Sequence, residues 1–277
     1  MKSLAQQTSA ELGGRGSVFS RQKRDHIELD ALLHRLNGLA AREQPPVLLQ
    51  IYRLVFPHAF AEESVLWPVI RRVLPDGEQL TLQVETEHQA INDLVTRLEL
   101  LDAGTSDRQQ VRGQIIDLLR EDVRDEEDEL LPRLQMKLTP RQARRLGLAW
   151  EVVRRIAPTR AHPIVSRRPP GNVLAALPLS LLDRSRDGVD TLLHRGGGAA
   201  ARPLKGLSYA LTRASHAVER LPGMRWGENP ATHVDRGSRL KHGGAILLAL
   251  VAASAAIAVA RRRRGPAEGS FNMGWRN

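Results

Sequence analysis

At 277 residues and 42% hydrophobic content, the chain has material for one or two domains with a substantial core. It contains no cysteine, which excludes disulfides, thiolate metal sites, iron–sulfur ligation and cysteine nucleophiles; any metal must be held by nitrogen and oxygen. The net charge of +10 is unevenly divided: residues 20–137 carry 15 Lys and Arg against 22 Asp and Glu, whereas residues 138–277 carry 24 against 8. A basic half suits an anionic membrane face or nucleic acid, and the division argues for two functional halves.

Aromatic residues make up 4% of the chain, and Leu, Ala, Arg and Glu dominate over β-branched runs, so the backbone preference is helical with almost no sheet. Residues 1–19 are polar and Gly-containing, with no apolar run of signal-peptide length, and read as a disordered arm. From Ser20 onward apolar residues recur at helical spacing. Leu29, Leu33, Leu36 and Ala40 mark a first helix that Pro45 and Pro46 end. A second segment, Val47 to Leu74, carries Ile51, Val55, Val65, Val69 and Val73 on one stripe, with Pro57 and Pro68 expected to kink or interrupt it. A third runs from Glu78 to Leu101 and a fourth from about Asp107 to Lys137. Four amphipathic helices joined by short turns predict an up-down-up-down four-helix bundle over 20–137. Thr139, with Pro140 behind it, caps an additional helix within 138–158.

Residues 159–242 are rich in Pro, Gly and Arg and read as a linker with short helices. Residues 243–260 carry no charge and are followed by Arg261 to Arg264, which open a basic tail over 261–277. At about 1.5 Å per residue the uncharged stretch reaches roughly 27 Å, so Gly243 to Ala260 is a candidate transmembrane helix.

Six titratable residues fall on stripes that must face inward. His26 lies in phase with Leu29 and Leu33; His58 and Glu62 continue the stripe of Ile51 and Val55; His88 sits between Val84 and Ile91; Asp122 and Glu126 lie between Leu118 and Leu130. Each helix thus sends one or two potential ligands into one interior. Burying unpaired carboxylates costs several kcal/mol each, a penalty that two divalent or trivalent cations would remove. The remaining acids of the run Glu121 to Glu129, including Glu127, read as a solvated helix face. His34, His162, His194, His216, His233 and His242 read as surface residues.

These residues resemble a hemerythrin-like, or HHE cation-binding, domain. The matching pieces are Asp25-His26-Ile27-Glu28-Leu29, His58 to Glu63 followed by Leu66-Trp67-Pro68, Glu87-His88, and Glu126-Glu127 with Leu130-Leu131-Pro132. The resemblance implies a non-haem di-iron centre, with His26, His58 and His88 as terminal ligands and Glu62 and Glu126 as bridges. It also marks one departure: the family's fourth helix usually shows HxxxE, and here Asp122 stands at the histidine position. Aspartate is a harder, anionic ligand that favours ferric iron, which argues against simple reversible oxygen carriage. Manganese or a single metal stays open.

The resulting expectation is a di-iron protein that senses or reacts with oxygen, peroxide or nitric oxide. The alternatives are an iron-handling protein without turnover and a metal-free membrane-tethered helical adaptor. Nucleic acid is disfavoured as a partner, because no recognised module frames the arginines. The uncharged stretch and the absence of a leader predict a membrane-anchored chain with the bundle on the cytoplasmic side, or a cytoplasmic protein if that stretch does not span. The excess of Arg over Lys suggests a bacterial, GC-rich source.

Overall fold

The computed structural model describes residues 2–196 and 198–234, and every regular element among them is helical. Helix α1, Val18–Asn37, buries Val18, Gln22, Asp25, His26, Leu29, Leu33 and Leu36, a spacing of three and four that lays them along one face. Helix α2, Pro45–Ala61, starts on a proline pair whose missing N–H groups cost nothing at a helix N-terminus. A π-helical turn, Glu62–Leu66, joins it to α3, Trp67–Val73. Helix α4 spans Gly77–Leu100 and α5 spans Ser106–Asp125; a second π-helical turn, Glu126–Leu130, leads into α6, Leu131–Gln135. Short connections make sequential helices neighbours, and α1 packs on α2, α3 on α4 and α4 on α5, as the up-down-up-down bundle requires.

The prolines behave differently from one another. Pro57 is accommodated inside α2 without interrupting it. Pro68 and Pro132 each stand directly behind a π turn, in which Trp67 and Leu131 donate their N–H five residues back, to the Glu62 and Glu126 carbonyls. A proline offers no N–H to the preceding turn, and widening that turn by one residue is a way to absorb the missing bond.

The core has two apolar halves. One gathers Leu33, Leu36, Ile51, Ile91, Leu98 and Ile115; the other gathers Phe19, Leu66, Trp67, Val84, Leu131 and Trp150. Along every helix of the bundle the chain passes from one half to the other through a polar residue: His26, His58, His88 and Asp122. The polar layer is therefore sandwiched between hydrocarbon on both sides.

Helix α7, Pro140–Ile156, begins on the expected Thr139 cap, which the structure completes as a capping box with Gln142, and packs on α1 and α2. It crosses the start of α1 so closely that a Cβ at Gly147 would collide with the backbone of Gly16 and Val18. Two expectations are corrected. The N-terminal arm is ordered, since Leu4 and Leu12 are buried in the second apolar half and Lys23 Nζ donates to the carbonyls of Ala5 and Gln7. The stretch read as a linker forms two long helices, α8, Gly171–His194, and α9, Ala201–Glu219, packed against each other, with α8 also packed on α2. Pro178 and the many arginines disguised them; Leu179, Leu182 and Val189 bury one face of α8.

His162 is likewise buried, not superficial. Its Nε2 lies 2.9 Å from Asp183 and its Nδ1 3.0 Å from Glu219, which ties the 157–170 segment to α8 and α9. Among the described residues no helix is long and apolar enough to cross a membrane; Gly243 to Ala260 lies outside them.

Candidate metal centre

All six inward-facing residues meet in the polar layer. His26, His58, Glu62 and Glu126 form one group, and His88, Asp122 and Glu126 a second; within each, one ligand atom per residue lies within 4.8 Å of the others. Glu126 belongs to both. Glu62 reaches toward the second group as well, its Oε2 standing 3.9 Å from His88 Nε2. The two groups thus adjoin and share a carboxylate.

The atoms that face one another are acceptors without donors. His26 Nε2 is 3.3 Å from His58 Nε2 and 3.2 Å from Glu126 Oε2, and His58 Nε2 is 3.0 Å from Glu62 Oε1. Both Glu62 oxygens, Glu126 Oε1 and Asp122 Oδ1 are buried without a well-aligned hydrogen bond, although His58 Nε2 lies 3.0 Å from Glu62 Oε1 and His88 Nε2 3.4 Å from Asp122 Oδ1. A buried carboxylate oxygen left unpaired costs on the order of 1–3 kcal/mol or more, and native interiors rarely hold several in one place. Lone pairs converging on common points suit cations, so the residues present fit bound metal.

Protonation behaviour points the same way. Burial opposes the charged form of His26 and His58, yet Glu126 and Glu127 beside the first and Glu62 and Asp25 beside the second raise them to about 9 and about 10. His88 is raised well above its ordinary value by Asp122 and Glu63, against the same opposing effect of burial. The Glu126 carboxyl is pushed up to about 8, by burial first and then by the charges of Glu62 and Asp122. Without cations, the layer must hold protons in their place.

The orientation of each imidazole is set by a second carboxylate. His26 Nδ1–H donates to Glu127 at 2.9 Å, His88 Nδ1–H to Glu63 at 3.0 Å, and His58 Nδ1 faces Asp25 at 3.4 Å. With Nδ1 occupied, Nε2 is the free lone pair aimed inward, the arrangement that fixes tautomer and ring angle in metal sites. Arginines back this outer ring: Arg154 from α7 lies 3.4 Å from Asp25, and Arg167 lies 3.7 Å from Glu63. Trp150 closes the layer edge-on against the His58 ring, at 5.3 Å between centroids.

Sequence reasoning missed these three carboxylates, and it placed Glu127 on a solvated face. Each is adjacent in sequence to a predicted ligand: Asp25 to His26, Glu63 to Glu62, Glu127 to Glu126. In a regular α-helix consecutive residues diverge by about 100°, so phase counting assigns only one of each pair to the centre of the inward face, although Asp25 and His26 are both buried in regular α1. The π turns slow that rotation at Glu62-Glu63 and Glu126-Glu127, and the usable signal was the proline six residues after the first glutamate of each pair.

A four-helix bundle crossed by a layer of convergent histidines and carboxylates defines a metal-binding bundle. Residues 17–134 match the family described as Hemerythrin HHE cation binding domain, a segment that contains all six inward residues and ends before α7. The match agrees with the resemblance read from the sequence. No curated protein and no solved structure matches the chain.

Proposed function

We propose that the HHE domain holds two iron ions and uses them to sense or react with a small ligand such as dioxygen, peroxide or nitric oxide. The observation that carries this reading is Glu126 shared between two groups whose remaining carboxylate oxygens lack donors. In this reading His26, His58, Glu62 and Glu126 hold one ion and His88, Asp122 and Glu126 the other, with Glu62 as a second bridge. Bound iron supplies redox capacity and coordination positions for an exogenous molecule.

The chain's own residues restrict what can reach those positions. A space of only about 20 Å³ adjoins His58, His88 and Asp122 and is walled by Leu29, Leu54, Val55, Leu119 and Val123. That is roughly the room of one water-sized molecule. An open cavity of about 420 Å³ between α1 and α5 shares Leu29, Leu119, Val123 and His26 with it, which makes this the natural approach from solvent. Asp122, with three protein ligands in its group and an anionic oxygen where imidazole is usual, favours the ferric state and hence sensing or reaction over reversible carriage.

The test is anaerobic ferrous reconstitution of the full chain, followed by metal analysis and titration with nitric oxide. About two irons per chain and a ligand-dependent visible spectrum are expected. A chain that retains neither iron nor manganese overturns the metal assignment, and two irons with a spectrum indifferent to every small ligand would favour storage without turnover.

A further inference from the structure

Helices α7 and α8 each carry an apolar stripe on the side turned away from the core. In α7 it is Leu148, Val152 and Ile156, and in α8 Val173, Leu177 and Leu181; all six are exposed, Leu148, Leu177 and Leu181 by 60% or more. The spacing of four residues aligns each stripe along its helix. Arg184, one turn beyond Leu181, donates to the carbonyls of Arg155 and Ala157, which brings the ends of the two stripes together at Ile156. Exposed aliphatic residues are common singly, but two aligned stripes on adjoining helices are not what a solvent-facing surface requires.

Charge identifies what covers them. Residues 138–234 contain 16 Arg and Lys against six acidic residues. All six acids are withdrawn from the surface: Glu151, Asp183, Asp187 and Glu219 are buried, and Asp190 and Glu228 are half-buried in ion pairs with arginine. The exposed charge of this segment is therefore entirely positive. On α7 the apolar stripe runs directly into Arg141 and Arg145 on the same face, both exposed. Trp226, itself exposed, lies beside the start of α8, where its carbonyl accepts from Gly171 N–H. Aliphatic side chains interleaved with arginine and flanked by an exposed indole match the chemistry of a lipid interface, where tails take the aliphatics, headgroups the guanidiniums and the boundary the indole.

We propose that the α7–α8 face docks on an anionic lipid surface, lying on the bilayer and not crossing it. The contact is distinct from the stretch Gly243 to Ala260, and its position beside the HHE domain would hold the metal centre one helix layer from the membrane, since α7 also carries Trp150 and Arg154 against the ligand layer.

The absence of cysteine makes the test site-specific. Leu181→Cys in the full chain is labelled with an environment-sensitive fluorophore, beside Gln114→Cys on the exposed face of α5 as a control. Adding vesicles containing 30% phosphatidylglycerol should shift the emission at position 181 to the blue and leave position 114 unchanged, phosphatidylcholine alone should shift neither, and raised salt should weaken the response. Replacing Leu148 and Leu177 together by Gln, in a chain of unchanged circular dichroism and melting, should lower vesicle affinity by about tenfold or more. Sedimentation with vesicles while the label at 181 stays in water would overturn the proposal in favour of anchoring elsewhere in the chain. A lipid-independent shift that grows with protein concentration would overturn it in favour of a second copy of the chain.

Discussion

Two buried clusters of opposed charges, one around His162 and one in the metal-ligand layer, differ in one respect. In the cluster around His162, every carboxylate has a donor: Asp183 accepts from His162 and from the N–H groups of Thr159 and Arg160, Asp187 from Arg53, Arg160 and Thr159, and Glu219 from His162. In the HHE layer, four carboxylate oxygens have none. The first cluster is closed and serves to fasten α8 and α9 to the bundle; the second is open and serves to receive something. Burial and charge alone would not have separated a structural clasp from a ligand set, because His162 and His58 are both raised to about 10 by flanking carboxylates that overcome burial. Unsatisfied lone pairs do separate them.

The sharpest way to break this comparison is to remove a carboxylate from each cluster. Glu62→Ala or Glu126→Ala should eliminate at least one bound metal per chain, measured by metal analysis, while the metal-free melting temperature of Glu126→Ala stays level or rises because a carboxyl destabilised by burial and by Glu62 and Asp122 is gone. Full metal occupancy in both variants would refute the bridging role. Removing the imidazole of the closed cluster should do the reverse: His162→Ala should leave metal content intact and cost about 3–5 kcal/mol in denaturant unfolding, since Asp183 and Glu219 lose their shared cation.

The same clasp predicts a pH dependence. The folded-state value of His162 is raised to about 10 from the usual 6.5, so its contribution is fully present below about pH 6.5 and is lost as pH rises through 10. Protection of α8 and α9 amides against hydrogen exchange should fall over that window in the wild-type chain and not in His162→Gln. A smaller effect sharpens the account of the open cluster. Glu63→Gln or Glu127→Gln, each removing the carboxylate that orients an imidazole, should weaken metal affinity by about 10- to 100-fold without changing the number of sites.

The bundle and its six inward residues were legible because the signal is periodic. His26, His58 and His88 interrupt apolar stripes at intervals that only a helix converts into one face, and the comparison of phases needs no tertiary information. Glu63 and Glu127 were not legible by that route, since phase counting assumes 3.6 residues per turn and the π turns violate it where the glutamate pairs stand. Nor were α8 and α9. Their buried acids, Asp183, Asp187 and Glu219, fall on the faces that a hydrophobicity pattern assigns to the core, which erases the pattern; only the pairing with Arg160 and His162 from a distant segment makes them interior residues. The order of the N-terminal arm rests on two leucines, too few to register as a stripe.

The paired π turns have a further consequence, which is one of symmetry. The domain is two copies of one helical hairpin: Asp25-His26 answers to Glu87-His88, His58 and Glu62-Glu63 to Asp122 and Glu126-Glu127, and Pro68 to Pro132. The outer bonds obey the same exchange, because His26 is held by Glu127 and His88 by Glu63, each from the opposite copy. The one mismatch in the inner ring is His58 against Asp122, and it strands a residue. Asp25 has the His58 ring to hold, whereas its counterpart Glu87 accepts from Gln83 Nε2 at 3.2 Å and otherwise faces the Asp122 carboxylate. One of its oxygens is buried without a donor, and the group is raised to about 7 by burial and by Asp122. Glu87 is thus a partner whose histidine is missing. Asp122→His would supply it and equalise the two halves, whose inner rings in the parent chain differ in charge by a single side chain; with the proposed iron bound, autoxidation of the reduced protein should slow in the symmetrised variant while Glu87→Gln alone changes little.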